Sequence, residues 1–367
     1  MSSAFSAVDH AHMARALQLA ERARFTAHPN PVVGCVIAHA ERVVGEGLHL
    51  RAGGPHAEVH ALRMAGEQAR GATAYVTLEP CAHYGRTPPC ALALIKAGVT
   101  RVVCALGDPF EQVAGGGFAL LREAGITVEV GLMAAAAREL NIGFLTRIEQ
   151  GRPFVRIKLA SSLDGRTAMA DGTSQWITGP AARADVQRWR ARAGAVLTGA
   201  GTVLADDPRM DVRLPPGVEV AGSLRVVLDA SLRSLAKAAV RSGDTPTLYL
   251  HAPHTEVPAG DWGRAQFAAV ALGSDGRLDL HAVLADLAGR GINEVHVEAG
   301  AQLCGALVAA GLCDELLLYQ AMTLMGDETR PLLSGLGIQA MEQQRRLHLH
   351  EALMVGADLR LRLRPQG

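Results

Sequence analysis

The chain lacks several features that would narrow its function at once. No run of apolar residues approaches the length of a membrane span. Its 36 basic residues are matched by 36 acidic ones, so there is no positive balance suited to nucleic acid. Residues Met1 to His10 hold no basic segment followed by an apolar core, so nothing suggests secretion and the cytoplasm is the expected location. Cysteine is sparse, six in 367 residues. Cys35, Cys104, Cys304 and Cys313 are scattered and read as small buried apolar residues rather than a disulfide framework. There is no repeat and no low-complexity tract.

What is present is a metal-ligand pattern. Pro55-His56-Ala57-Glu58 is followed by Pro80-Cys81 and Pro89-Cys90. One His and two Cys hold a zinc ion and leave its fourth position open for water. A Glu two residues after the His moves protons there without being a ligand. This is the pattern of zinc deaminases. A helix over His56 to Arg70 and another from Cys90 place both ligands near helix starts, where the macrodipole and free N–H groups favour thiolate. Ala72 to Leu78 reads as a strand that delivers Cys81. Other readings compete. A metalloprotease helix needs its Glu directly after the first His, and here it comes one place later. A structural site would take a fourth ligand from His60, His83 or Cys104, and a Cys81–Cys90 disulfide would leave no site at all.

The length suits two or three domains, and the chain divides near Gly151-Arg152-Pro153. Residues 1–150 alternate helix and strand signals: a helix over Asp9 to Arg24, strands at Val32 to Ile37 and Arg42 to His49, then a strand at Arg101 to Leu106. A helix around Phe118 to Glu123, a strand at Ile126 to Val130 and one last helix over Ala134 to Ile148 complete a three-layer α/β/α unit. Residues 151–367 form a second α/β unit. Its strands are expected at Phe154 to Ala160, Ala195 to Thr198, Arg225 to Asp229, Thr247 to His251 and Glu294 to Glu298. Its helices are expected over Gly179 to Arg192, Leu280 to Arg290 and Gln302 to Ala310, with a terminal hairpin over Leu347 to Leu363. Two strand–glycine–helix junctions, Thr198 to Thr202 and Glu298 to Gln302, suit a phosphate-bearing cofactor. Neither is a true G-x-G-x-x-G, so a doubly wound dinucleotide fold is not supported. Glycine after a strand also serves plain turns.

Longer motifs carry a resemblance. The first half holds His28-Pro29-Asn30-Pro31, Gly34-Cys35-Val36, Pro55 to Leu62 and Leu78 to Cys90, with eight residues between the two cysteines. The second holds Lys158 to Gly165, Ser174 to Thr178, Thr202 to Pro208 and Val297 to Gly300. Over nearly its whole length the chain resembles the bifunctional deaminase/reductase family of riboflavin biosynthesis. The resemblance implies a cytidine-deaminase-like first domain with zinc and a dihydrofolate-reductase-like second domain with NADPH.

It implies zinc on His56, Cys81 and Cys90, with Glu58 as the proton shuttle. It implies deamination at C2 of 2,5-diamino-6-(5-phosphoribosylamino)pyrimidin-4(3H)-one, then reduction of the ribosyl group to ribityl. Asn30, His83 and Arg86 are expected to meet the first substrate, although Asn between two prolines is also ordinary turn chemistry. Ala160, Trp176, Thr202, Asp206, Gly300, Ala301, Gln302 and Leu303 are expected to line the NADPH site. Ser174, Arg190, Met210, Arg213 and Glu298 are expected to face the second substrate, with the two arginines suited to its phosphate. Lys158 and Asp206 are both placed to stabilise the opened sugar or transfer a proton. A homo-oligomer, dimer or tetramer, is expected. Two rivals remain: a nucleic-acid-editing deaminase with an unrelated second domain, and a binding module with structural zinc.

Overall fold

Ser6 starts the first helix with a capping box. Its hydroxyl accepts from the Asp9 N–H at 3.1 Å, and the Asp9 carboxylate accepts from the Ser6 N–H at 2.9 Å. Helix α1 (Ala7–Glu21) then buries Met13, Ala16, Leu19 and Ala20. The computed structural model describes residues 5–82, 88–110 and 114–366. The chain forms two units, Met1–Gln150 with Glu219–Ala221, and Gly151–Val218 with Gly222–Gly367.

In the first unit the elements after α1 are β1 (Gly34–His39), β2 (Arg42–Leu48), α2 (Ala57–Ala65), β3 (Thr73–Val76), α3 (Cys90–Ala97), β4 (Arg101–Cys104), α4 (Gly116–Glu123), β5 (Thr127–Val130), α5 (Ala134–Leu140) and α6 (Ile142–Gln150). The strands make one sheet in the order β2-β1-β3-β4-β5, with β1 antiparallel to both neighbours and β3, β4 and β5 parallel. Side chains alternate across it. Cys35, Ile37 and Val76 face a cluster with Ala57, Ala61, Leu94 and Leu121 of α2, α3 and α4. Val36, Tyr75 and Val103 face Met13, Ala16 and Ala137 of α1 and α5. The three layers expected from the alternating pattern are those observed.

Two helix boundaries differ from the sequence reading. The helix from His56 stops at Ala65, because Gly66 turns to φ 55° and a short 3₁₀ turn (Gly66–Ala69) follows. The helix expected over 134–148 is broken at Asn141. There the side-chain amide leaves the helix to pair with Val32, accepting from its N–H at 2.8 Å and donating to its carbonyl at 2.9 Å.

The second unit contains β6 (Phe154–Ser161), β7 (Arg166–Ala168), α7 (Pro180–Arg192), β8 (Ala195–Gly199), α8 (Ala200–Asp206), β9 (Leu224–Leu228), β10 (Thr247–His251), β11 (Ala265–Ala269), α9 (Leu280–Gly289), β12 (Glu294–Val297), α10 (Ala301–Ala309), β13 (Glu315–Gln320), β14 (Arg330–Pro331), β15 (Leu347–Val355) and β16 (Asp358–Pro365). Nine of the strands form a sheet in the order β11-β10-β9-β8-β12-β6-β13-β16-β15, parallel as far as β13 and antiparallel in the terminal hairpin. Strands β7, β11, β13 and β14 have no counterpart in the sequence reading. Arg156 of β6 is fully buried and pairs with Glu294 at 2.7 Å and Glu315 at 2.6 Å. Arg192 joins Glu294, and Arg362 and Arg364 join Glu315.

Glycine on β2 sets the height of α2 above the sheet. A Cβ on Gly47 would lie 2.1 Å from the Ala57 carbonyl oxygen and 2.6 Å from the Ala61 nitrogen. Both obstacles are backbone, so neither yields by a rotamer change. Gly47→Ala is expected to lower stability by about 1–3 kcal/mol, read as a lower urea midpoint. An unchanged midpoint would mean that α2 moves freely off β2.

Candidate active sites

His56 is the N-cap of α2, with extended backbone at φ −74° and ψ 164°. Its side chain caps nothing and is left for other work. Strand β3 ends at Val76, and Cys81 comes in the loop beyond it. Pro89 fixes the entry to α3, whose first residue is Cys90. The three side chains converge. His56 Nδ1 lies 3.2 Å from Cys90 Sγ and 3.6 Å from Cys81 Sγ, and all three ligand atoms fall within 4.8 Å of one another. Bonds of ~2.0–2.3 Å to a tetrahedral zinc place N and S donors roughly 3.6 Å apart, so the triangle fits the ion. Among the described residues no fourth His, Cys, Asp or Glu completes the group. Cys104, one of the alternatives, donates to the Leu106 carbonyl instead. A catalytic zinc site has three protein ligands and one open position; His83, another of the fourth-ligand alternatives, lies outside the described residues.

The electrostatics favour a thiolate. The Cys81 pKa is lowered by the hydrogen bond from the Cys90 thiol, against the opposing effect of burial, with His56 and the Cys90 N–H (3.3 Å) adding to it. Glu58 is buried at 3 % exposure, and that burial pushes its carboxyl up to about 6. Its contact with Cys90 and its interaction with His56 place it beside the ligand triangle.

Sequence reasoning missed His49, at the end of β2. Its Nδ1 is 3.1 Å from the Pro55 carbonyl and its Nε2 is 3.0 Å from Asn30 Nδ2. A carbonyl only accepts, so Nδ1 carries the proton and Nε2 accepts from the Asn30 amide. Burial lowers the pKa of His49 and keeps it neutral. Asn30 therefore has its amide oriented, with Oδ1 left as an acceptor. Nothing in a single sequence marks His49, because the link to Asn30 spans 19 residues. His83 and Arg86 lie outside the described residues.

In the second unit β8, β12 and β6 are adjacent and parallel, so the segments leaving these strands emerge along one sheet edge. Ligands of open α/β sheets lie along such carboxyl ends. Ala160 is the next-to-last residue of β6, Thr202 and Asp206 ride on α8, and Gly300 is the N-cap of α10 with Ala301, Gln302 and Leu303 in its first turn. Arg190 from α7 grips Glu298 with a two-pronged pair at 2.5 and 2.9 Å, and donates through Nη1 to the Asp211 carbonyl at 2.8 Å. Burial acts to raise the Glu298 pKa, and Arg190 outweighs it, holding the carboxyl well below its usual range. Burial lowers the Lys158 pKa, opposed by Glu298. His296, also missed, is fully buried with Nε2 3.3 Å from Glu298; burial lowers its pKa.

The remaining residues are spread more widely. Trp176 is 69 % exposed with the Arg183 guanidinium 4.4 Å from its ring centre, and Ser174 is half-buried nearby in the chain. Met210 packs into the core with Val203 and Tyr249, which leaves only its backbone to face a ligand. Arg213 extends a half-exposed side chain 3.3 Å from Asp211. Its main-chain N–H donates to Gln187 at 2.8 Å.

Residues 153–361 match the family model of the RibD C-terminal domain. Residues 6–106 match that of the cytidine and deoxycytidylate deaminase zinc-binding region. The riboflavin biosynthesis protein RibD of Escherichia coli K12 is 48% identical over 365 residues, covering 97% of this chain and 99% of its own. The Haemophilus influenzae RibD is 45% identical, covering 99% of each. Among solved structures, Acinetobacter baumannii RibD superposes with a TM-score of 0.89 at 46% identity, covering 98% of this chain and 99% of the other. A Thermotoga maritima diaminohydroxyphosphoribosylaminopyrimidine deaminase/5-amino-6-(5-phosphoribosylamino)uracil reductase gives 0.86 at 30%, with the same coverage.

Removing one thiolate tests the ligand triangle. The purified chain is expected to carry about one zinc ion, and Cys81→Ser to retain less than roughly a tenth of that after dialysis. Metal content by atomic absorption is the measurement. Full zinc occupancy in the variant would place the ion elsewhere.

Proposed function

The chain belongs to the RibD family of riboflavin biosynthesis proteins, and from that premise we propose how its residues divide the work. It is a bifunctional enzyme, a deaminase and a reductase, for which the two domain families imply zinc and NADPH. Its substrates are small molecules. Among the described residues no helix is long and apolar enough to cross a membrane. The reading of the first unit is carried by the His56, Cys81 and Cys90 triangle with buried Glu58 beside it.

We assign His56, Cys81 and Cys90 as the zinc ligands. Zinc, when bound there, polarises a water and lowers its pKa toward ~7. Glu58 takes a proton from the attacking water and delivers it to the pyrimidine ring nitrogen, then takes the second proton from the hydroxyl now on C2 and passes it to the departing amino group, which leaves as ammonia. A carboxyl held near neutrality suits both directions of transfer. Asn30, oriented by His49, presents its acceptor to the ring. Water is added at C2 and ammonia is lost, giving the uracil. His83 and Arg86 are assigned to the same substrate on the motif alone.

The second reaction reduces C1′ of the opened sugar. NADPH, when bound, supplies the hydride. Backbone N–H groups at the start of α10, over Gly300 to Leu303, suit its phosphates. Ala160, Thr202, Asp206 and Trp176 line the rest of its site. Glu298, fixed by Arg190, meets the sugar with Lys158. Ser174, the Met210 backbone and Arg213 hold the remainder of the substrate, and Arg213 has the free reach for phosphate. Lys158, half-buried and within the field of Glu298, is better placed than exposed Asp206 to give the proton.

We also assign a cytoplasmic location, because thiolate ligands and free Cys35, Cys104, Cys304 and Cys313 suit a reducing compartment. A homo-oligomer is supported by β15, an edge strand of the nine-stranded sheet that leaves Leu349, Leu353 and Met354 half exposed.

Incubating the protein with the diamino substrate should release ammonia and then consume NADPH; absence of either would refute that half of the assignment. Glu58→Gln should keep zinc but lose deamination by about 10²–10⁴-fold. Deamination at the parent rate with zinc bound would remove Glu58 from its role. Arg213→Ala should raise KM for the uracil substrate by roughly ten- to a hundredfold, the equivalent of ~1.5–3 kcal/mol, with little change in KM for NADPH. Steady-state kinetics varying each substrate in turn decides this. A rise confined to NADPH would move Arg213 to the cofactor.

A further inference from the structure

Glu79 is buried at 5 % exposure, two residues before Cys81, and both of its carboxylate oxygens are occupied by main-chain donors. Oε2 accepts from the N–H groups of Asp108 at 3.3 Å and Gly115 at 3.1 Å. Oε1 accepts from those of Gly117 at 3.0 Å and Phe118 at 3.3 Å, in the first turn of α4. One side chain thus gathers the loop after β4 and the head of α4. Its own N–H donates to the Leu106 carbonyl at 2.9 Å.

The next residue is held against the same helix. A Cβ on Gly117 would lie 1.9 Å from the Pro80 carbonyl oxygen, so Pro80 packs directly on that glycine. Cys81 comes one residue later. Its far side is fixed to α3, where the Cys81 carbonyl accepts from Ala91 N–H at 3.2 Å and its sulfur accepts from Cys90 N–H at 3.3 Å. The position of Cys81 relative to α3 is therefore set on one side by the Cys90 turn and on the other by the Glu79–α4 anchor. Among the described residues no other side chain in this segment ties it to the α4 region with four hydrogen bonds.

We propose that Glu79 is a positioning residue for the metal site: by gathering the backbone of Asp108, Gly115, Gly117 and Phe118 it fixes where Cys81 presents its sulfur, and so sets the affinity and geometry of metal binding. The inference rests on His56, Cys81 and Cys90 being the zinc ligands. Glutamine in place of Glu79 keeps the size but turns an N–H₂ toward at least one pair of donors, which breaks half of the anchor. Aspartate keeps the acceptors but is one methylene too short to reach all four.

The test uses the full-length protein and two probes, zinc with a competing chelator and cobalt(II) as a spectroscopic substitute. Glu79→Gln and Glu79→Asp should weaken zinc binding roughly 10- to 100-fold, as loss of an outer partner of a metal ligand does. The cobalt form should show altered thiolate-to-metal and d–d bands, because the Cys81 sulfur has moved. Glu123→Gln, an exposed change on the same helix, should alter neither. Parent-like zinc affinity and cobalt spectrum in both Glu79 variants would overturn the proposal, even if their melting temperatures fall, because that outcome describes a merely structural residue. If Glu79→Gln does not fold, the milder Glu79→Asp decides by the same two readouts. A parent protein that binds no zinc would instead refute the ligand assignment on which the inference stands.

Discussion

Two helix starts have to meet at one point for the first unit to have a site. The head of α2 brings His56 and the head of α3 brings Cys90. Each head carries roughly half a positive charge from its unpaired N–H groups. Two such ends facing one another are unfavourable unless negative charge lies between them. Cys81 supplies it, as a thiolate that accepts from the Cys90 N–H and contacts His56. The same arrangement that makes the loop tolerable makes it a metal site, since thiolate is the form that binds a cation. Gly47 is part of this constraint: it lets α2 lie close enough on β2 for His56 to reach the two sulfurs.

The second unit is organised by charge of another kind. Arg156, Glu294 and Glu315 sit at or near the beginnings of β6, β12 and β13, buried together with Arg192 and Arg362, and half-buried Arg364 joins Glu315. The rings of Trp189 and Phe154 stack beneath several of these guanidinium groups. Burying a pair of this sort is close to neutral, whereas removing one member leaves a stranded charge at about 3–5 kcal/mol. The network therefore specifies which strands pair at their starts. Glu298, just past the end of β12, and Lys158, in the second half of β6, lie away from that network, and Arg190 of α7 reaches Glu298 there.

Strands β1, β3 and β4 are legible in the sequence because both faces of the sheet are covered there, so each reads as a short, largely apolar run. The three candidate metal ligands and Glu58 are legible too, since their spacing is local. The break at Asn141 is hidden, because only the fold brings Val32 within reach of its amide. Strand β13 is hidden for another reason. Leu316-Leu317-Leu318-Tyr319 is a continuous apolar run whose periodicity does not separate a buried strand from a helix. His49, His296 and the anchoring role of Glu79 depend on contacts between elements distant in the chain. Met210 reads in the sequence as facing a ligand, and its side chain packs with Val203 of α8 and Tyr249 of β10, a contact that exists only once those elements are packed.

The charges around Glu298 also narrow the proton chemistry of the second site. Hydride delivered to C1′ of the opened sugar, where that carbon is doubly bonded to nitrogen, leaves the nitrogen in need of a proton, and a donor must answer it. Glu298 is a poor donor, because Arg190 holds it ionised through both oxygens. Burial lowers the His296 pKa, and its Nε2 lies 3.3 Å from Glu298. Arg190 does not release protons at any working pH. Lys158 is the remaining group beside Glu298, and burial has already loosened its proton. Under the proposed assignment of Lys158 as donor, burial lowers the pKa of its amine and Glu298 opposes that fall, so the carboxylate serves the step without titrating, by setting the acidity of its neighbour.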